Sequence, residues 1–304
     1  MSSASNTMAG PGAAATSQVW KLHGRRAIVN RLMTGAMYLA FLIAVIPLAL
    51  VIWYTVGKGL TRFSWSFLTH SMAGVGPNDI TGGIYHAITG TVEQLLIAAA
   101  ISVPLGLLVA IYLNEYGAKG FSTVVRLLVD VMTGIPSIVA GLFVLAFWVL
   151  GLHEGYSGFA GSMALSILML PVVTRSSEEM LRLVPNSLRE AGYALGIPKW
   201  RVIVSIILPA ARTGITTGIM LAVARVTGET APLLLTAAGT LFVNNNPFHG
   251  QQEALPLYVF SSAAGGTPAD VNRAWSAALT LILIVVLLYV IARLLTRRDV
   301  ANRR

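Results

Sequence analysis

What most constrains this chain is a series of six apolar runs, each near the length that carries a helix across a membrane. They are Leu32 to Val56, Ile88 to Leu113, Leu127 to Leu152, Gly158 to Thr174, Ile215 to Ala237 and Ala274 to Ala292. About 20 apolar residues at 1.5 Å each cover the hydrocarbon core of a bilayer. The fourth run is the shortest, but it is uncharged and is followed at once by Arg175. No soluble domain of appreciable size is left over. Composition agrees: 55% of residues are hydrophobic and 11% charged, where a soluble domain carries about a quarter charged residues. The fold class read here is an all-α membrane protein with six transmembrane helices, surrounded by membrane lipid.

The net charge of +9 would suit nucleic acid if it formed a soluble patch. Instead Lys and Arg gather at the ends of the apolar runs, so no nucleic-acid partner is expected. Assigned alternately to the two sides, seventeen of them share one side with both termini, and only Lys58, Arg62 and Arg273 fall on the other. Positive charge is retained in the cytoplasm. A multi-pass protein of the cytoplasmic membrane is expected, with both termini cytoplasmic. Residues 1–31 read as a disordered, basic tail, since the first nineteen are small or polar and without period. The first run is too long for a signal-peptide core and no small-residue cleavage site follows it, so it reads as a retained anchor. With its external loop it makes a segment 32–83, and residues 297–304 form a second basic tail. The external loop Ala238 to Asn272 contains Glu253 to Tyr258, a candidate short re-entrant or surface helix.

Between the fourth and fifth runs, the interval Ser187 to Ile215 does not read as a linker. Leu188, Ala191 and Leu195, then Val202, Ile203, Ile206 and Ile207, recur at helical spacing. Two short amphipathic helices are expected, broken at Gly196-Ile197-Pro198, with Pro209 ending the second or handing the chain to the next span. Such a helix, turn and helix between two spans makes a rigid knob. It suits docking to a soluble partner; the alternative is a basic loop lying on anionic lipid.

Charges also fall inside the apolar runs. Arg225 lies twelve residues beyond Thr213, about 18 Å along a helix, hence near the bilayer middle. An Arg there costs at least about 2.5 to 3.5 kcal/mol and persists where it faces protein or water. Glu229, four residues on, shares its helical face. Either the two cancel and pin the helix, or Arg225 supplies a positive field for a crossing anion while Glu229 positions it. Gly228 and Pro232 loosen the helix at this point. Arg175 reaches both Glu178 and Glu179 at helical spacing, as a transport group or as ordinary interfacial charge. In the third run, Gly134-Ile135-Pro136-Ser137 predicts a kink, for packing or for lining a path.

Some chemistries find no support. Cysteine is absent, so no disulfide or thiolate site is expected. No G-x-x-x-x-G-K-[ST] phosphate loop occurs, so ATP must be bound elsewhere. The five His are scattered without ligand spacing, no metal site is expected, and acid pairs suited to hydrolysis are missing. The chain reads as no enzyme.

Glu190-Ala191-Gly192, then Gly196, then Leu208-Pro209, resembles the EAA loop of ABC-importer permeases, with Gly192 where that pattern has Ala. Ala224-Arg225-Val226-Thr227-Gly228-Glu229-Thr230-Ala231-Pro232-Leu233-Leu234 adds to it, with Gly134 to Gly141 and Leu181 to Ala191. Together they resemble the PstA-type permease subunits of phosphate ABC importers, over roughly Ile84 to Ala292. The resemblance implies the ABC-importer permease fold, with a core over 84–296 and a coupling loop over 178–212 that presents a cytoplasmic coupling helix. It implies a substrate path through Arg225, Glu229, Arg175 and Glu178, with Pro136, Ser137 and Gly228 breaking helices beside it. ATPase docking falls to Glu190, Ala191, Gly192, Gly196, Lys199 and Trp200. The implied partners are a homologous second permease, a cytoplasmic ABC ATPase dimer that binds ATP and Mg, an external phosphate-binding protein, and phosphate itself. The chain itself needs no cofactor. Alternatives are another oxyanion, molybdate, sulfate or phosphonate, or a carrier or membrane enzyme working without an ATPase.

Overall fold

The computed structural model describes residues 24–76, 78–117 and 120–301. Residues 1–23 of the expected disordered tail lie outside the described residues, as do Lys119, Arg303 and Arg304 of the charge count.

The chain divides into two compact units at Trp53/Tyr54. The described part of the first belongs to α1 (Arg25–Gly59), a helix of 35 residues. It begins at Arg25, ahead of the apolar run, so residues 25–31 are helical rather than part of a disordered tail. Leu39, Leu42, Ile46, Leu50 and Trp53 are all exposed along it. An apolar helix surface of this kind belongs against lipid or other helices, not water.

In the second unit, the end of α1 lies against α12 (Pro268–Ala301), where the Ser276 hydroxyl donates to the Gly59 carbonyl at 2.7 Å. The short α2 (Trp65–Thr69) is capped by Ser64, whose Oγ accepts the Phe67 N–H. α3 (Tyr85–Ile111) continues through a π turn, Tyr112–Tyr116. α6 (Gly158–Arg182) is the central helix, with 61% of its most apolar window buried. α3 presents Gln94, Ala98, Ser102, Gly106 and Ala110 to the interior, a buried row at spacing four. Small residues at that spacing let two helix backbones approach. A Cβ on Gly106 would stand 2.8 Å from Val173 Cγ1, and Ser102 Oγ donates to the Ser166 carbonyl at 3.1 Å.

Two breaks depart from unbroken spans. The third run is not one helix: α4 (Phe121–Thr133) and α5 (Ser137–Val144), which a π stretch extends to Gly151, meet at 102°. Gly134 caps the first and Pro136 opens the second. Proline has no N–H to give the preceding turn and pushes the residue before it out of helix. The fifth run breaks as well. α9 (Leu208–Thr227) stops at Gly228, and α10 (Ala231–Thr236) starts afresh with Pro232 in its first turn. Between them and α6, α7 (Asn186–Ala194) forms as expected and ends at Gly196 with φ +71. The expected second short helix is not separate: α8 (Lys199–Val202), a π turn Ile203–Ile207 and α9 form one 29-residue span. Pro209 does not end it. The carbonyl that would have bonded the residue-209 N–H belongs to Ser205, inside the π turn, where the hydrogen-bond register is already shifted.

Among the described residues five helices are long and apolar enough to cross a membrane, and the bent α4–α5 pair makes six if it counts as one span. The expected short helix is present as α11 (Leu255–Ala264), with bounds shifted toward the carboxyl end. One apolar cluster around Leu165, Met169 and Val226 joins α3, α5, α6 and α9. A second, around Leu181, Val202 and Ile207, ties the α7–α8 segment to the bundle.

Candidate functional site

Helical spacing places Arg175, Glu178 and Arg182 on one face at the end of α6. α4 brings Arg126 and Asp130 across to meet them. Glu178 is the centre: Arg126 Nε and Arg182 Nη2 reach its Oε1 at 2.8 and 2.5 Å, and Arg175 Nη1 stands 3.6 Å from its Oε2. Its side chain is 2% exposed. Burying a carboxylate is costly unless it is paired and hydrogen-bonded, and here guanidinium groups surround it. Arg175 is held more loosely, 3.3 Å from Asp130 and 4.0 Å from Glu179, with 43% of its side chain exposed. Three cations and three acids leave the cluster near neutral. Arg175 can exchange its exposed partners for an incoming oxyanion, since a guanidinium offers parallel N–H donors to tetrahedral oxyanions. Sequence spacing found Arg175, Glu178 and Glu179. Arg126 and Asp130 were missed because they come from another helix.

Arg225 and Glu229 do not form the helical pair expected of them. Arg225 is exposed in the last turn of α9, where the dipole favours a cation. Glu229 lies beyond the Gly228 cap, half-buried, its N–H bonded to the Val226 carbonyl at 3.1 Å. Among the described residues no ion pair joins the two. The glycine ends the helix before the fourth residue can return to the same face. The breaks at Gly134–Pro136 and at Gly228 are followed by helices that pack together: a Cβ on Gly141 would stand 2.7 Å from Pro232 Cα. Pro136 and Ser137 open one of these helices, and Gly228 precedes the other.

The knob formed by α7 is bolted to its surroundings by Arg189. Its Nη2 and Nε donate to Glu115 Oε1 at 3.0 and 3.2 Å, and its Nη1 and Nη2 donate to the Val184 and Leu181 carbonyls at 2.6 and 2.9 Å. Lys199, expected at a docking surface, donates to the Glu115 carbonyl and lies 4.5 Å over the Tyr116 ring. Gly192, also expected there, is buried: a Cβ would meet Val202 Cγ2 at 3.0 Å and Ile206 Cδ1 at 3.1 Å. It faces inward, where α7 packs against Val202 and Ile206 with room for little more than a methyl. Glu190, Ala191, Gly196 and Trp200 are exposed. So are Leu188 and Leu195, the latter to 77%. The apolar stripe of α7 therefore points outward, and Leu183, 73% exposed, is a further apolar residue beside it that sequence reading passed over.

Broken membrane helices, ionic groups held within them and a projecting knob between two spans are the parts of a transport permease. Residues 102–299 match the family of binding-protein-dependent transport system inner membrane components, and the chain belongs to that family. It is 46% identical over 283 residues to the phosphate transport system permease protein PstA 1 of Mycobacterium tuberculosis, covering 92% of each chain. With the phosphate transport system permease protein PstA of Mycobacterium leprae it shares 47% identity over 86% of each chain, and with that of Yersinia pestis 40% over 88% of this chain and 89% of the relative. Its fold is similar to a bacterial alginate ABC transporter in complex with an alginate pentasaccharide-bound periplasmic protein, at TM-score 0.66 and 16% identity over 90% of this chain and 96% of that one. The MetNI methionine ABC transporter in an inward-facing conformation matches at TM-score 0.57 and 18% identity, over 71% of this chain and 94% of that one.

Proposed function

We propose that the chain is one permease subunit of an ATP-driven importer of inorganic phosphate in the cytoplasmic membrane, with both termini in the cytoplasm. The observation that carries this reading is the 46% identity over 92% of each chain to a phosphate transport permease. The chemistry supports it. Phosphate suits a guanidinium that donates two parallel hydrogen bonds, and Arg225 is an exposed guanidinium without an acid partner among the described residues. In this reading the anion passes Arg225 and Glu229, beside the helix breaks at Pro136, Ser137 and Gly228, and is handed toward Arg175 and Glu178. A homologous second permease completes the path, and an external phosphate-binding protein delivers the anion.

Glu190, Ala191, Gly196 and Trp200, with the exposed Leu188 and Leu195, form the surface offered to a cytoplasmic ATPase dimer, which binds ATP and Mg. Lys199, also exposed, belongs to this surface while its ammonium ties the knob to Glu115, and Gly192 packs inside the knob. The test is uptake of labelled phosphate by cells lacking the gene and carrying it back as wild type or Arg225→Gln. Arg225→Gln removes the charge and keeps much of the bulk, so loss of uptake with normal assembly is expected. Phosphate uptake unchanged by deleting the gene would defeat the proposed cargo. Native uptake by Arg225→Gln would make that residue structural.

A further inference from the structure

Far along the chain from these groups, an open cavity of about 970 Å³ lies beside α2, between the end of α1 and the start of α3 in sequence. Its lining includes Arg62, Ser64, His70, Ser71 and Asn272 but no Asp or Glu. Among the described residues Arg62 is the one Lys or Arg in that lining. Nη2 of Arg62 donates to the Thr81 carbonyl at a long 3.4 Å, and Nη1 is buried with no partner. The neighbouring Arg273, 1% exposed, has Asp270 at 2.5 Å. Among the described residues no acid stands against Arg62 in the same way. Burial first, and the charge of Arg273 second, push the Arg62 guanidinium below its usual range. Arg62 is half-buried, and an anion in the cavity would meet a partly desolvated cation that has no counter-ion beside it.

The other groups around the cavity are free to donate. Ser64 Oγ accepts the Phe67 N–H at 3.2 Å and Ser71 Oγ accepts the Ala73 N–H at 3.3 Å. A hydroxyl that accepts still has its own hydrogen to give. His70 gives its Nδ1–H to the Ser66 carbonyl at 2.9 Å, which leaves Nε2 of the neutral ring an acceptor, so the two hydroxyls and the guanidinium are the donors here. A guanidinium and two hydroxyls with no facing carboxylate are the surroundings of a tetrahedral oxyanion.

We propose that this cavity binds a phosphate-type oxyanion through Arg62, Ser64 and Ser71, at a site separate from Arg225 and Arg175. Two sources present that chemistry: free phosphate, and the headgroup of a phospholipid. Trp65, 80% exposed on α2, and Ile80, 82% exposed at the rim, put apolar surface beside the cavity, which gives a lipid somewhere to lie.

The test is made on the full-length chain in its assembled membrane complex, carrying Arg225→Gln so that the path proposed above is already disabled. Binding is read rather than uptake, which keeps the fate of this site apart from that of the transport reading. Equilibrium binding of radiolabelled inorganic phosphate reports the free ion, and native mass spectrometry of the purified complex reports a retained phospholipid. One of the two is expected, weakened at least about tenfold by Arg62→Gln and partly kept by Arg62→Lys. If Arg62→Gln does not assemble, Ser71→Ala is read in the same way. Absence of both ligands, or binding unchanged in these variants, overturns the proposal.

Discussion

Arg126 Nε and Glu178 Oε1 stand 2.8 Å apart, joining two helices at positions fifty-two residues apart in the chain. Arg182 holds the same oxygen at 2.5 Å from the next turn of α6. Either Arg can leave while the other keeps the buried carboxylate satisfied. Arg126→Gln and Arg182→Gln are therefore expected to cost about 1 kcal/mol each, whereas the double variant exposes the desolvation of Glu178 and costs about 3 kcal/mol or more. Thermal unfolding of the detergent-solubilised chain and its three variants gives the cycle. Additive losses would mean that the two guanidinium groups do not share one acceptor.

Gly192 tests the packing of the knob. Alanine adds a methyl 3.0 to 3.1 Å from Val202 and Ile206, tight but relieved by a small shift, and it gains about 1 kcal/mol of helix preference. Gly192→Ala should thus stay within about 1 kcal/mol of the native stability, while Gly192→Leu should push α7 off the π turn and lose co-purification with the ATPase. If the leucine variant assembled as well as the alanine one, α7 would not sit where it is placed.

Much of this was legible from sequence because lipid imposes long apolar runs, and Gly and Pro punctuate them. The spans around α3, α6 and α12 follow directly. The punctuation at Gly134-Ile135-Pro136 marked a break but carried no angle, so the 102° turn was not readable. Counting four residues from Arg225 to Glu229 assumed an unbroken helix, and Gly228 removed that assumption. Spacing along one helix found Arg175 with Glu178. It had no means of finding Arg126 or the Arg189–Glu115 pair, seventy-four residues apart, because those meet only once α4 and α6, and α7 and the π turn after α3, have packed. The π turn before Pro209 has no distinct composition, so the sequence left open whether Pro209 ends a helix or hands the chain on, and the chain runs straight on.

Gly196 separates strain from crowding. Its φ is +71 and a Cβ there would meet nothing within 4 Å, so a substitution is penalised by the backbone alone. A β-branched residue in that conformation costs about 1 to 2 kcal/mol, and asparagine less. Gly196→Val should flatten or shift the turn between α7 and α8 and uncouple ATP hydrolysis from phosphate uptake, with Gly196→Asn close to native. ATPase activity and uptake measured in the same vesicles decide it. Full coupling in the valine variant would count against the knob as the element that transmits the stroke.

Glu253 gives a pH dependence with a definite sign. It lies just ahead of α11, 5% exposed, and burial raises its carboxyl from 4.5 to about 7, although hydrogen bonds from the Ala254 and Thr240 backbone act the other way. The folded chain therefore holds a proton that the unfolded chain has released between pH 4.5 and about 7. Stability from this group is fully present below pH 4.5, falls as the pH rises to about 7, and is level above. The loss amounts to about 3 kcal/mol. Glu253→Gln keeps an oxygen for the Ala254 N–H and cannot ionise. Its melting temperature should match wild type at pH 4 and exceed it at pH 8, when both are unfolded in the same detergent. Equal melting temperatures at pH 8 would mean that Glu253 reaches water, and the loop from Gly239 to Ala254 would then have to open in solution.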